Sequence, residues 1–159
     1  MTDKIALLCA GGTGGHLFPA EAVAHELKGR GFTVHLAADD RVERYAGSFP
    51  AEEIHKIRSA SIASKNPIAL TKSLFSLFGG YLQSRKMLAQ VKPSVVAGFG
   101  GYPTVPPLLA AARKGIPTLV HEANAVFGRA NKFLGPKVDR VAIGFGNVSN
   151  IGGVEIGRA

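Results

Sequence analysis

The chain has 159 residues, 46% of them hydrophobic and 19% charged, with a single cysteine. That balance fits one globular domain with a sizeable core and argues against disorder, and one cysteine excludes an internal disulfide and a cysteine-built zinc site. Nineteen Lys and Arg against eleven Asp and Glu leave a net charge of +8, which suits an anionic partner such as a phosphorylated substrate or an anionic membrane surface; nucleic acid ranks last, because the few aromatics are not interleaved with the basic residues.

Ile5–Ala10 is a short apolar run and predicts a buried parallel strand, with Cys9 as a small hydrophobe inside it. Met-Thr-Asp-Lys leads straight into this strand, so no signal peptide is expected and the chain is expected in the cytosol. No apolar run reaches the roughly 18 residues needed to cross a bilayer. The strand is followed by Ala10-Gly11-Gly12-Thr13-Gly14-Gly15-His16-Leu17-Phe18-Pro19. Pro19 suits the first turn of a helix over 19–30, so the glycines fall where a strand hands over to a helix. There they let backbone N–H groups approach a ligand, and the helix N-terminus adds partial positive charge that favours phosphate. The pattern from Gly12 lacks the third glycine of a dinucleotide fingerprint, and no Gly-Lys-Ser/Thr closes a phosphate loop of the Walker type. Asp39 and Asp40, after a second predicted strand at Thr33–Ala38, keep an NAD-type domain open as an alternative. What the other glycine-rich loops lack is His16.

A short helix over 41–45 and a third strand over 53–57 come next; His25, His35 and His55 show no ligand spacing and are expected to have no site role. A long helix over 68–91 carries Leu74, Leu77, Phe78, Tyr81 and Leu82 on one stripe, broadened by Leu70 and Phe75 and bracketed by Arg58, Lys65, Lys72, Arg85 and Lys86. Such a stripe is either core packing or an interfacial helix on an anionic membrane. The strand over 94–98 runs into a second glycine loop, Gly98-Phe99-Gly100-Gly101-Tyr102-Pro103-Thr104, with Thr104 placed to cap a helix over 105–114. These glycines either make a tight turn or hold a second phosphate. The strand over 118–121 runs into His121-Glu122-Ala123-Asn124; Glu122 and Asn124 have little reason to end an apolar strand, while His121 is either structural or part of a site. A helix over 128–135 and a strand over 138–143 complete the series. Strict alternation predicts a Rossmann-like α/β domain over 1–145, a doubly wound parallel sheet with ligands at the carboxyl ends of its strands, followed by a tail or interdomain junction at 146–159.

Three motifs in this order and spacing are specific: Gly11-Gly12-Thr13-Gly14-Gly15-His16 with Phe18-Pro19, Gly100-Gly101-Tyr102 with Pro106, and His121-Glu122-x-Asn124 with Asn131-Lys132. Over about residues 4–145 the chain closely resembles the N-terminal domain of the bacterial peptidoglycan N-acetylglucosaminyltransferases, the lipid II synthases of glycosyltransferase family 28. The resemblance implies the N-terminal half of a GT-B fold that binds a lipid-linked diphosphate acceptor, while UDP-N-acetylglucosamine binds a C-terminal domain outside these residues. It further implies acceptor contacts from Gly12, Thr13, Gly14, Gly15, Gly100, Gly101, Tyr102 and Asn124. The acceptor hydroxyl would attack with inversion, with His16 as base and Glu122 as runner-up, or with His16 serving only the diphosphate. Neither cofactor nor metal is implied. Ile68, Leu70, Leu74, Phe75 and Phe78 would dock the protein on the cytoplasmic face of the plasma membrane. Two features depart from the family pattern: Pro103, and a tail without the Gly-Asn-Pro-Val-Arg run. A chain of this kind is either one domain of a longer transferase or one subunit of a split one.

Overall fold

The computed structural model describes residues 4–44, 47, 49–62, 66–145 and 156–158. Lys65 of the basic bracket and most of the expected tail lie outside the described residues. Strands β1 (Ile5–Ala10), β2 (Thr33–Ala38), β3 (Glu53–Lys56), β4 (Val95–Gly98), β5 (Thr118–Glu122), β6 (Arg140–Ile143) and β7 (Ile156–Arg158) form one sheet in the order β3-β2-β1-β4-β5-β6-β7. Every pairing is parallel. The order reverses at β1, so the chain leaves β1 and β4 toward opposite faces of the sheet, which places a crevice at the carboxyl edge there. β7 lies within the stretch read from sequence as a tail. At three residues, with glycine at its centre, it carries too little apolar pattern to be seen as a strand.

Side chains alternate along β1. Leu7 and Cys9 enter one buried cluster with Met87, Leu88, Leu108 and Leu134, while Leu8 and Ala10 enter another with Leu17, Ala20 and Ala24. The first face is thus covered by α2 (Pro67–Val91), α3 (Val105–Arg113) and α4 (Arg129–Leu134), and the second by α1 (Gly14–Gly29). Burial pushes the Cys9 thiol far up and leaves it a small hydrophobe.

α1 begins at Gly14, five residues before the start expected from Pro19, which sits inside the helix. Glycine pairs read as loop because they cost helix stability, but here the Thr13 carbonyl accepts from the backbone N–H groups of His16 and Leu17 and starts the helix itself. α2 is set up as its sequence suggests: Asn66 Oδ1 accepts from the N–H groups of Ile68 (2.9 Å) and Ala69 (3.4 Å), with Pro67 at the first helical position. Its buried residues are Gly80, Ser84, Met87 and Leu88, all in the second half. A Cβ on Gly80 would stand 2.0 Å from the Arg58 carbonyl oxygen and 3.2 Å from Pro106 Cγ, so the helix is pressed against its neighbours there. Gln83 adds two ties, accepting from Arg58 N–H (3.1 Å) and donating to the Lys56 carbonyl. The first half overhangs. Ile68, Leu74, Phe75 and Phe78 are 54–73% exposed, which rules out core packing for those four.

Candidate functional site

The two glycine loops are bonded to each other. Phe99 N–H donates to the Cys9 carbonyl (2.8 Å) and Gly11 N–H to the Gly100 carbonyl (2.9 Å), carrying the β1·β4 ladder into the loops. Gly100 and Gly101 have φ of +100° and +83°, a region that favours glycine. They are also required by space: a Cβ on Gly100 would lie 2.8 Å from His16 Cδ2, and one on Gly101 would lie 3.0 Å from Gly11 Cα. The slot these glycines leave is filled by the imidazole of His16.

His16 Nδ1 lies 3.0 Å from Thr13 Oγ1. When Nδ1 carries the proton and donates it to Thr13, Nε2 keeps its lone pair and can act as a base. Burial lowers the His16 pKa; the Glu122 carboxylate raises it and Arg41 lowers it again, and the net shift is downward. The ring is therefore neutral at neutral pH.

Glu122 is 2% exposed and fully engaged. Its Oε1 accepts from the backbone N–H (3.0 Å) and Nδ2 (2.8 Å) of Asn124, and its Oε2 from Gly128 N–H (2.9 Å) and Asn131 Nδ2 (2.9 Å). Burial raises its pKa, but these four donors outweigh it and the net shift is downward. A carboxylate with its lone pairs so occupied is suited to holding the loop after β5 in shape. Asn131, also buried, gives a further bond to the His121 carbonyl (3.0 Å).

These elements enclose a cleft of about 640 Å³ at the carboxyl edge of the sheet. Of the residues singled out from sequence, Thr13, His16, Gly100, Gly101, Tyr102, Glu122 and Asn124 line it. Gly12 serves packing instead, since a Cβ there would stand 2.5 Å from Asp39 Oδ1 and 2.7 Å from Val42 N. Gly14 lies against the Phe18 ring and Gly15 faces open space. As the first two residues of α1, both present N–H groups that have no acceptor within the helix. Asp39, Arg41, Ser59, Gly128, Arg129 and Asn131 also line the cleft. Asp39 stands where a ribose ligand would in an NAD-type domain, but its carboxylate is taken up by the Arg41 guanidinium (3.0 and 3.1 Å to Nε). Thr104 does not cap α3; its hydroxyl donates to the Gly101 carbonyl (2.7 Å) and pins the second glycine loop. The Tyr102 hydroxyl and Asn131 Oδ1 are buried without a hydrogen-bond partner, as is Nδ1 of His121, whose ring packs on Phe99.

Away from the cleft, His35 and His55 do meet. Their Nδ1 and Nε2 lie 3.0 Å apart on the β2–β3 face, with Glu53 beside them. Residues twenty apart in sequence become diagonal neighbours through the β2·β3 register, which linear spacing does not reveal.

Two bonded glycine loops, a helix N-terminus and a neutral histidine meet in the switch-point crevice of this doubly wound sheet, an arrangement within an α/β domain that suits an anion. The glycosyltransferase family 28 N-terminal domain profile matches residues 6–143. A curated "UDP-N-acetylglucosamine--N-acetylmuramyl-(pentapeptide) pyrophosphoryl-undecaprenol N-acetylglucosamine transferase" of Allorhizobium ampelinum is 61% identical over 145 residues, 91% of this chain and 39% of that protein. One of the same name from Rhizobium leguminosarum bv. trifolii is 60% identical over the same shares. The crystal structure of Acinetobacter baumannii MurG superposes with a TM-score of 0.80 at 31% identity, covering 96% of this chain and 45% of that one. The chain belongs to glycosyltransferase family 28, as its N-terminal domain. It spans about two fifths of the length of the curated relatives it matches.

Proposed function

We propose that this chain is the acceptor half of a transferase that moves N-acetylglucosamine from UDP-N-acetylglucosamine onto an undecaprenyl-diphosphate-linked N-acetylmuramyl peptide, with the donor nucleotide held by a second domain. The observation that carries this reading is the cleft itself, in which two glycine loops bonded through Gly11 and Gly100 frame His16. The N–H groups of Gly14 and Gly15 and the cations Arg41 and Arg129 suit a diphosphate. His16 Nε2 takes the proton of the acceptor sugar's hydroxyl as its oxygen bonds to the donor's anomeric carbon; the bond from that carbon to the nucleotide breaks, and UDP leaves with the electron pair. Tyr102 and Asn124 orient the acceptor.

The exposed first half of α2, with Arg58 and Lys72 nearby, docks the domain on the anionic cytoplasmic surface of the plasma membrane. Cations near such a surface add about 1 kcal/mol each. Among the described residues no helix is long and apolar enough to cross a membrane. The test is reconstitution. The 159-residue chain alone, given UDP-N-acetylglucosamine and lipid-linked acceptor, transfers no sugar, and fusion to the C-terminal domain of a close relative restores transfer. A fused protein that folds, binds UDP-N-acetylglucosamine and still leaves the acceptor untouched would overturn the reading.

A further inference from the structure

A second cleft, of about 330 Å³, lies beneath the overhanging half of α2. Its walls are apolar, built from Leu77 and Phe78 of α2, Pro106 and Leu109 of α3 and Phe133 of α4. It adjoins the polar cleft: Tyr102, Arg129 and Ala130 line both. The contact at Gly80 brings α2 down onto Pro106. Arg113 lies among the lining residues, held over the Tyr81 ring (5.3 Å) with Nη1 donating to its hydroxyl (3.3 Å). Leu74 and Phe78, more than half exposed, form a lip toward the surface proposed to meet the membrane.

The geometry points to a subsite for the first isoprene units of the acceptor's polyprenyl tail. This rests on the reading of the polar cleft as a diphosphate site. A ligand with a diphosphate head in one cleft must send its tail somewhere. The groove adjoining at Arg129 offers an apolar route from the head toward the bilayer, with room for roughly two or three five-carbon units at interior packing density. Tyr102, whose buried hydroxyl lacks a partner, stands at the junction and can donate to the ester oxygen that joins tail to phosphate. The enzyme would then grip the proximal tail as well as the head, drawing the reacting sugar a fixed distance off the membrane.

The test uses soluble ligands and no membrane. Farnesyl diphosphate, kept below the concentration at which it forms micelles, and methyl diphosphate are titrated into the 159-residue chain by calorimetry. The expected result is at least tenfold tighter binding of farnesyl diphosphate. That ratio should fall to within about threefold in Phe78→Ser, at an exposed position, and in Leu109→Gln, which reaches the floor. Taking the ratio cancels changes common to the two heads. Equal affinities in the unaltered chain, or a preference that survives both substitutions, would overturn the subsite while leaving the diphosphate cleft standing. Failure of both ligands to bind would overturn the cleft reading and this one with it.

Discussion

His16 is poised by what surrounds it rather than by its own chemistry. The Thr13 hydroxyl holds Nδ1 by a hydrogen bond, which leaves Nε2 toward the cleft as the base when Nδ1 carries the proton, and burial keeps the ring neutral. In a two-domain protein completed with a donor half, His16→Ala should lower kcat by roughly 100-fold or more. Thr13→Val should lower it less, and Thr13→Ser should restore it, because serine keeps the hydroxyl. The kcat–pH profile should show an acid limb below the ordinary imidazole value of about 6.5 and a plateau above it. An effect on the acceptor KM alone would make His16 a diphosphate ligand. Glu122 separates from His16 at this scale. Glu122→Gln replaces an acceptor of four hydrogen bonds by a group that can accept fewer and brings its own donors against Gly128 or Asn131. The expected cost is about 2–4 kcal/mol of stability, seen as a melting temperature lowered by roughly 5–10 °C. A variant that melts normally and has lost only kcat would instead make Glu122 the base. The histidine was legible because the glycine loops around it already spoke of an anion. The four-bond role of Glu122 was not: Asn124 and Asn131 stand in its motif, but nothing there shows that their amides close on the carboxylate together with the backbone N–H groups of Asn124 and Gly128.

Among the elements, α2 divides into a clamped half and an overhanging half, and the two neighbouring glycines at their junction behave oppositely. A methyl group added at Gly79 would meet nothing within 4 Å, whereas one at Gly80 meets the Arg58 carbonyl. Gly79→Ala should therefore stabilise by about 0.4–1 kcal/mol through helix propensity, and Gly80→Ala should destabilise by about 1–3 kcal/mol despite the same propensity gain. Urea midpoints of the two variants decide it, and a shared sign would refute the contact. On the overhanging half, Leu74→Glu with Phe78→Glu should abolish sedimentation with anionic liposomes while leaving circular dichroism and melting nearly unchanged. Unfolding of the double variant would mean that these side chains belong to the core. The bounds of β1 and β2 were readable to the residue, because short apolar runs bounded by glycine or aspartate carry their own ends. The start of α1 was not, because its first turn is glycine held by Thr13. Whether the α2 stripe faced core or solvent could not be read either: both uses need the same spacing, and only the Gly80 contact distinguishes the two halves.

At the scale of the whole molecule, His16, His55 and His121 all have pKa values lowered chiefly by burial. The unfolded chain then binds more protons than the native one as pH falls through about 6.5, so stability is full above that value and declines below it. Glu122 extends the loss to lower pH, since its native carboxylate also resists protonation. The melting temperature should be level from about pH 8 to 7 and fall steadily from about pH 6.5 to 4.5; a rise on acidification would contradict the burial of these rings. The sheet and its two covered faces were legible from alternation of strand and helix, but β7 needed the register of β6 to be found. The uneven anchoring of α2 bears finally on how such a chain diverges. Residues 67–79 supply none of that helix's fully buried side chains, so substitutions at its exposed positions there cost the fold little. Exposed positions of that stretch can therefore change charge and size without unfolding the domain, whereas the stretch from Gly80 to Leu88 is held by its neighbours. For the fold, sequence change is thus cheapest on the face proposed above to meet lipid.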